Sequence, residues 1–176
     1  GVPGDLVECG VWRGGASVFL RGLLEAHQDP DRRVWVADSF QGLPAASTGP
    51  DRALGVDLTE AAAPLLAVDL DTVCEAFEVH GLLDERVRFV PGWFKDSLPA
   101  SGIEQIALLR LDGDLYESTR DALEALWDRV SPGGVVVIDD WVLPPCRQAV
   151  EEFLGPRGGL PEIERVDWAA VAFRKR

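Results

Sequence analysis

Ala107 to Thr119 reads ALLRLDGDLYEST, and Gly133 to Trp141 reads GGVVVIDDW. Each is a short apolar run that stops abruptly in carboxylates. A Val/Ile/Leu run of strand length, bounded by Gly or Pro, is the pattern of a strand buried on both faces, as parallel strands in α/β sheets are. Asp112, Asp114, Asp139 and Asp140 therefore fall where two strands end. In open α/β sheets the crevice beyond the carboxyl ends of the strands is where ligands bind, so these acids are candidates for chemistry as well as for turn formation.

Working outward from these two runs, the rest of the chain alternates strand and helix. Asp5 to Gly10 (DLVECG) reads as a strand closing on a turn, followed by a helix over Ala16 to Ala26. Arg33 to Ala37 is a second strand ending at Asp38, and Ser39 to Leu58, rich in Gly, Pro, Ser and Ala, reads as a long loop of the functional or mobile kind. A helix is expected over Thr72 to Leu83 and a third strand over Val87 to Val90, ended by Pro91 and Gly92. The fourth strand is Ile106 to Leu111, followed by a helix over Ser118 to Val130, a strand over Val135 to Ile138 and a helix over Cys146 to Leu154. Ile163 to Asp167 and Ala170 to Arg174 are separated only by a tight turn, too short for a parallel crossover, so they must pair antiparallel. The expectation is an α/β, Rossmann-like sheet of about seven mostly parallel strands closed by a C-terminal antiparallel hairpin.

The 176 residues fit a single domain, and 47% hydrophobic residues suffice for a real core. The opening GVPGDLVE has no initiator Met and reads as part of a longer or processed protein. A net charge of −13 argues against nucleic acid, whose phosphates need clustered Lys and Arg. No apolar run approaches the roughly 20 residues that span a bilayer, and a cytoplasmic location is expected. Cys9, Cys74 and Cys146 form neither a C-x-x-C pair nor a disulfide framework and read as reduced thiols. His27 and His80 lie in or near expected helices, away from strand ends, and read as structural or solvated.

The turn Glu8-Cys9-Gly10-Val11-Trp12-Arg13-Gly14-Gly15 lacks the G-x-G-x-x-G fingerprint of dinucleotide sites, which disfavours NAD. S-adenosylmethionine (SAM) carries an ammonium, a carboxylate and a sulfonium in place of a pyrophosphate. Glu8 suits its cation, the backbone amides of Gly10 and of Gly14, Gly15 and Ala16 suit its carboxylate, and Ser17 adds a hydroxyl. The plain alternative is a tight strand-to-helix turn. Asp38 falls where an acid accepts from ribose hydroxyls in Rossmann-like folds, unless it caps a turn with Ser39. Gly92 and Trp93 fall where an adenine would lie, although a Trp there is often core.

Asp112, Asp139 and Asp140, if drawn within about 4 Å of one another, would repel by several kcal/mol per pair at an effective dielectric near 20. A divalent cation offsets that, and an all-oxygen set suits Mg²⁺. The alternatives are a protonated Asp, or Asp139 and Asp140 pointing to opposite faces as strand neighbours do. Asp114, beside the ligand Asp112, is the candidate general base, with helix capping as its other reading, and Tyr116 flanks the same site.

DLVECGVWRGGAS, VWVADSFQGLP, RFVPGWFKDSLP, LLRLDGDLYEST, VVIDDW and VDWAAVAFRKR together resemble the macrocin O-methyltransferase family, over nearly the whole chain and in order. The 27-residue spacing from Asp112 to Asp139 also resembles the metal site of catechol O-methyltransferases, whose last ligand is Asn where this chain has Asp140. The resemblance implies SAM- and Mg²⁺-dependent methylation of a deoxysugar hydroxyl on an antibiotic or related glycosylated natural product. It further implies homo-oligomers, and an N-terminal substrate-covering region that this chain lacks. A phenol or catechol acceptor, and a noncatalytic SAM-binding relative, are the competing readings.

Overall fold

The computed structural model describes residues 1–53 and 65–176; the end of the expected 39–58 loop lies outside the described residues. Seven strands form one sheet: β1 (Asp5–Cys9), β2 (Val34–Asp38), β3 (Val87–Pro91), β4 (Ile106–Leu111), β5 (Val130–Ile138), β6 (Glu164–Arg165) and β7 (Val171–Arg174). Their order is β3-β2-β1-β4-β5-β7-β6, with β1 to β5 parallel and β7 antiparallel to both β5 and β6. This is the expected Rossmann-like sheet with its terminal hairpin. The chain reverses direction across the sheet between β1 and β4, which is where such folds open a crevice.

The helices bounded within the described residues are α1 (Gly15–Ala26), α2 (Gly49–Ala53), α3 (Leu70–Glu78), α4 (Phe94–Ser97), α5 (Tyr116–Leu126) and α6 (Pro144–Leu154). They bury two apolar layers. One, with Phe77, Val73, Leu20 and Leu24 against Val34 and Val36, joins α1 and α3 to the sheet. The other, with Leu109, Leu123, Leu126, Phe153 and Ile138, joins α5 and α6 to the opposite face.

Several boundaries differ from the sequence expectation, for local reasons. The helix expected at Thr72 begins at Leu70 because Asp69 supplies the N-cap, its carboxylate accepting from Thr72 N at 2.8 Å, and the chain turns away at Gly81, whose φ is +65°. The helix expected to run to Val130 ends at Leu126 and tightens into a 3₁₀ turn over Trp127–Arg129. β5 starts at Val130, five residues before its apolar run, because Val130 already pairs with Ile106 and the register then shifts. α2 and α4, too short to show a periodicity, were not legible.

Candidate active site at the carboxyl edge

The ends of β2, β1, β4 and β5 are laced together by backbone bonds: Gly10 N to Ala37 O at 2.8 Å, Asp112 N to Cys9 O at 2.8 Å and Asp139 N to Leu111 O at 2.9 Å. The approach is close enough that only glycine fits at position 10. A Cβ there would lie 1.7 Å from the Asp112 carbonyl oxygen, and φ is +87°. β5 stops at Ile138, so Asp139 and Asp140 sit in the turn beyond it and escape strand alternation. Carboxylate oxygens of Asp112, Asp139 and Asp140 lie within 4.8 Å of one another.

From sequence, this negative charge is offset by a metal, relieved by a protonated Asp, or avoided by Asp139 and Asp140 pointing apart. The structure supplies a countercharge from within the chain. Arg110 Nη1 lies 2.5 Å from Glu8 Oε1 and 2.7 Å from Asp112 Oδ2, and Nη2 lies 2.8 Å from Asp139 Oδ1. Arg110 was missed because a lone charge inside an apolar run reads as an interruption. The available signal was its position two residues before Asp112, on the same side of the strand, in register with Glu8 of the adjacent β1.

Burial pushes the Asp140 carboxyl up to about 8, helped by Asp114 and Asp112, although the Asp114 N–H, which donates to Asp140 Oδ2 at 2.9 Å, opposes it. Burial also raises Asp112, which Arg110 pulls back down. Asp114 rises to about 6 through burial and the charges of Asp112 and Asp139. It sits in the left-handed region at φ +60°, a conformation that Asp tolerates at modest cost and that often marks functional positions. It does not cap α5. That helix is capped from a distance by Asp51, a buried acid whose Oδ1 accepts from Tyr116 N at 2.6 Å and whose Oδ2 accepts from Glu117 N at 3.4 Å. The Tyr116 hydroxyl donates to Glu152 on α6.

On the cofactor side one expected role needs correction. The amides of Gly10 and Gly14 are committed to Ala37 O and Val11 O, so neither is available to a ligand carboxylate. Gly14 instead serves packing, since a Cβ there would meet Val73 at 2.8 Å. The first helical bond of α1 runs from Val18 N to Gly14 O, leaving the amides of Gly15, Ala16 and Ser17 ahead of it as the donors of a helix N-terminus. Glu8 is 1% exposed, holds the Ser17 hydroxyl as well as Arg110, and is raised to about 7 by burial against those two partners. Expected to meet the cofactor's cation, it is not among the residues that line the cleft.

Asp38 accepts from Val11 N and Phe40 N, both at 2.8 Å, while Ser39 turns its hydroxyl to Gly42 O, so the acid both ties the first turn to the second and borders the cleft. The cleft is a cavity of about 400 Å³ running from Asp38 and Ser39 past Trp93 and Phe94 to Asp112 and Asp114. Gly92, expected at the adenine, does not line this cavity, and its carbonyl accepts from the Ser97 hydroxyl. Trp12 was not singled out from sequence. It lines the cavity with φ at 47° and donates its indole N–H to Leu65 O at 2.7 Å. His27 and His80 are exposed and lie outside the cleft.

A seven-stranded sheet of this order, opening a cavity at the ends of β1, β2 and β4, defines the class of Rossmann-like methyltransferases, in which SAM is the methyl donor. Residues 1–175 match the macrocin-O-methyltransferase (TylF) family, and the chain belongs to it. It is 52% identical over 177 residues to the 8-demethyl-8-(2,3-dimethoxy-alpha-L-rhamnosyl)-tetracenomycin-C 4'-O-methyltransferase of Streptomyces olivaceus, covering 99% of this chain and 67% of that one. It is 47% identical to the mycinamicin III 3''-O-methyltransferase of Micromonospora griseorubida, covering 99% and 70%. Among solved structures, the O-methyltransferase NovP superposes with a TM-score of 0.94 at 48% identity, covering 99% of this chain and 72% of that one. The calicheamicin methyltransferase CalS11 gives 0.82 at 25% identity, covering 98% and 72%. No helix among the described residues is long and apolar enough to cross a membrane.

Proposed function

We propose that this chain methylates a deoxysugar hydroxyl on a glycosylated natural product of the antibiotic type, with Mg²⁺ held by Asp112, Asp139 and Asp140 and with Asp114 as general base. The observation that carries the metal is the way the three acids are spent. Each commits an oxygen to a protein donor, Asp112 and Asp139 to Arg110 and Asp140 to the Asp114 amide, and the three acids still bring carboxylate oxygens within 4.8 Å of one another in a small, all-oxygen cluster. Such outer hydrogen bonds are how ligand carboxylates are oriented, and the donor set fits a hard cation. The substrate class is supported by the names of the curated relatives, which act on rhamnosyl-tetracenomycin and mycinamicin scaffolds.

Bound SAM supplies a methyl activated by its sulfonium, and bound Mg²⁺ supplies a Lewis acid that orients and acidifies a hydroxyl. The chain's own work is placement and proton transfer. The amides of Gly15, Ala16 and Ser17 meet the cofactor carboxylate, Asp38 and Ser39 the ribose, and Trp93 the adenine. Asp114, with its carboxyl near 6, is ionised at neutral pH yet basic enough to take the acceptor proton. We read the chain as one methyltransferase domain working in a homo-oligomer in the cytoplasm.

The test is transfer of labelled methyl from SAM to mycinamicin III, the acceptor in the name of one relative, and to catechol, with and without chelator. Turnover on a glycoside, lost in chelator and in Asp112→Ala, Asp139→Ala and Asp140→Ala while SAM binding persists, is the expected result. Full activity in excess chelator sinks the metal assignment, and turnover on catechol alone replaces the sugar with a phenolic acceptor.

A further inference from the structure

Arg110 touches two of the three proposed metal ligands and the buried acid behind them, at 2.5 to 2.8 Å. We propose that Arg110 is a resident countercation of this site, a positioning residue that holds the acids together when they are metal-free and keeps their affinity for a dication low enough for the ion to exchange. The inference rests on the proposed metal site.

Two effects of Arg110 on a bound cation oppose each other. Its planar fork orients Asp112 and Asp139, and loss of such outer partners costs roughly 10- to 100-fold in metal affinity. Its charge also lies close behind the same carboxylates, and a unit charge within about 8 Å of a dication weakens binding by about three decades or more at an effective dielectric near 20. The charge effect is the larger. Arg110 cannot simply retreat when a cation enters, because Glu8 anchors it: the two residues face each other in register on β1 and β4, Glu8 is 1% exposed, and its other oxygen holds Ser17. The cation and Arg110 must therefore share Asp112 and Asp139.

Charge and orientation separate cleanly by substitution. Arg110→Lys keeps the charge and loses the fork, whereas Arg110→Gln loses both. Mn²⁺ serves as the probe, titrated into the chelator-stripped full chain near pH 8 and read as free ion by electron paramagnetic resonance. Arg110→Gln is expected to bind Mn²⁺ at least tenfold more tightly than wild type, and Arg110→Lys, which loses the fork but keeps the opposing charge, roughly 10- to 100-fold more weakly. Since Arg110→Gln strands Glu8 without its partner, the Glu8→Gln/Arg110→Gln double variant provides a folded control with the same expected gain. Affinity equal to or weaker than wild type in the glutamine variants overturns the proposal and makes Arg110 an orienting residue only. No saturable Mn²⁺ binding in any form removes the metal site itself, and the inference with it.

Discussion

Gly10 shows how a single position decides whether the site exists. Its missing side chain lets the end of β1 pass against the Asp112 carbonyl, at a distance that leaves a methyl group 1.7 Å from oxygen. Gly10→Ala must part β1 from β4, and with them Glu8 from Arg110, in a backbone conformation that alanine already resists. Urea unfolding is expected to show a loss of more than about 3 kcal/mol; a loss under about 1 kcal/mol would contradict the packing described. The acids of the site were legible because carboxylates at the ends of buried strands have few structural reasons to be there. The arginine was not. Its role depends on which residue faces it on the neighbouring strand, and β1 lies about a hundred residues away in sequence. The amides of Gly10 and Gly14 misled for a related reason, since whether a backbone donor is free is settled by partners, Ala37 and Val11, that no local pattern names.

Elements were legible in proportion to their length and periodicity. The five parallel strands and the long helices follow from apolar runs, but α2, at five residues, was hidden in a stretch that reads as loop. It matters because it carries Asp51 to the start of α5. The N-cap position of α5 is Leu115, which offers no side-chain acceptor, so the first turn of the helix borrows its cap from α2. Thr48 fixes the borrowed carboxylate by donating its hydroxyl to Oδ2 at 2.6 Å. Asp51→Ala is therefore expected to cost about 1–2 kcal/mol, in the range of lost helix caps, and to speed amide exchange at Tyr116 and Glu117 while leaving β1 and α1 protected. Thr48→Val should show a weaker form of the same local effect. Protection unchanged at Tyr116 and Glu117 in both variants would mean that α5 does not depend on this cap.

Across the molecule, the titrating groups pull stability in two directions with pH. Asp84 pairs with the buried Arg21 and is held down to about 2, so its contribution is present above the ordinary carboxylate range and is lost as pH falls toward 2. Glu8, Asp114 and Asp140 are the opposite case, raised to about 7, 6 and 8, chiefly by burial. A carboxyl whose folded value lies above its unfolded value binds its proton more tightly in the native state. Stability therefore falls as pH rises from about 4 through those values, by up to roughly 1.4 kcal/mol for each unit of pH over which one such group titrates differently in the two states. The net charge of −13 adds self-repulsion on the same side. The chelator-treated chain is expected to have its highest melting temperature between about pH 4 and 6, falling by several degrees toward pH 8, since about 1 kcal/mol moves a domain of this size by roughly 2–4 °C. Mg²⁺ binds the ionised acids and should recover part of that alkaline loss by mass action, with little effect at pH 5, where protons compete for the same oxygens. Differential scanning calorimetry across this range, with chelator and with Mg²⁺, reads both limbs at once. A chelator-treated melting temperature that is flat or rising from pH 5 to 8 would show that Glu8, Asp114 and Asp140 are not held protonated by the fold.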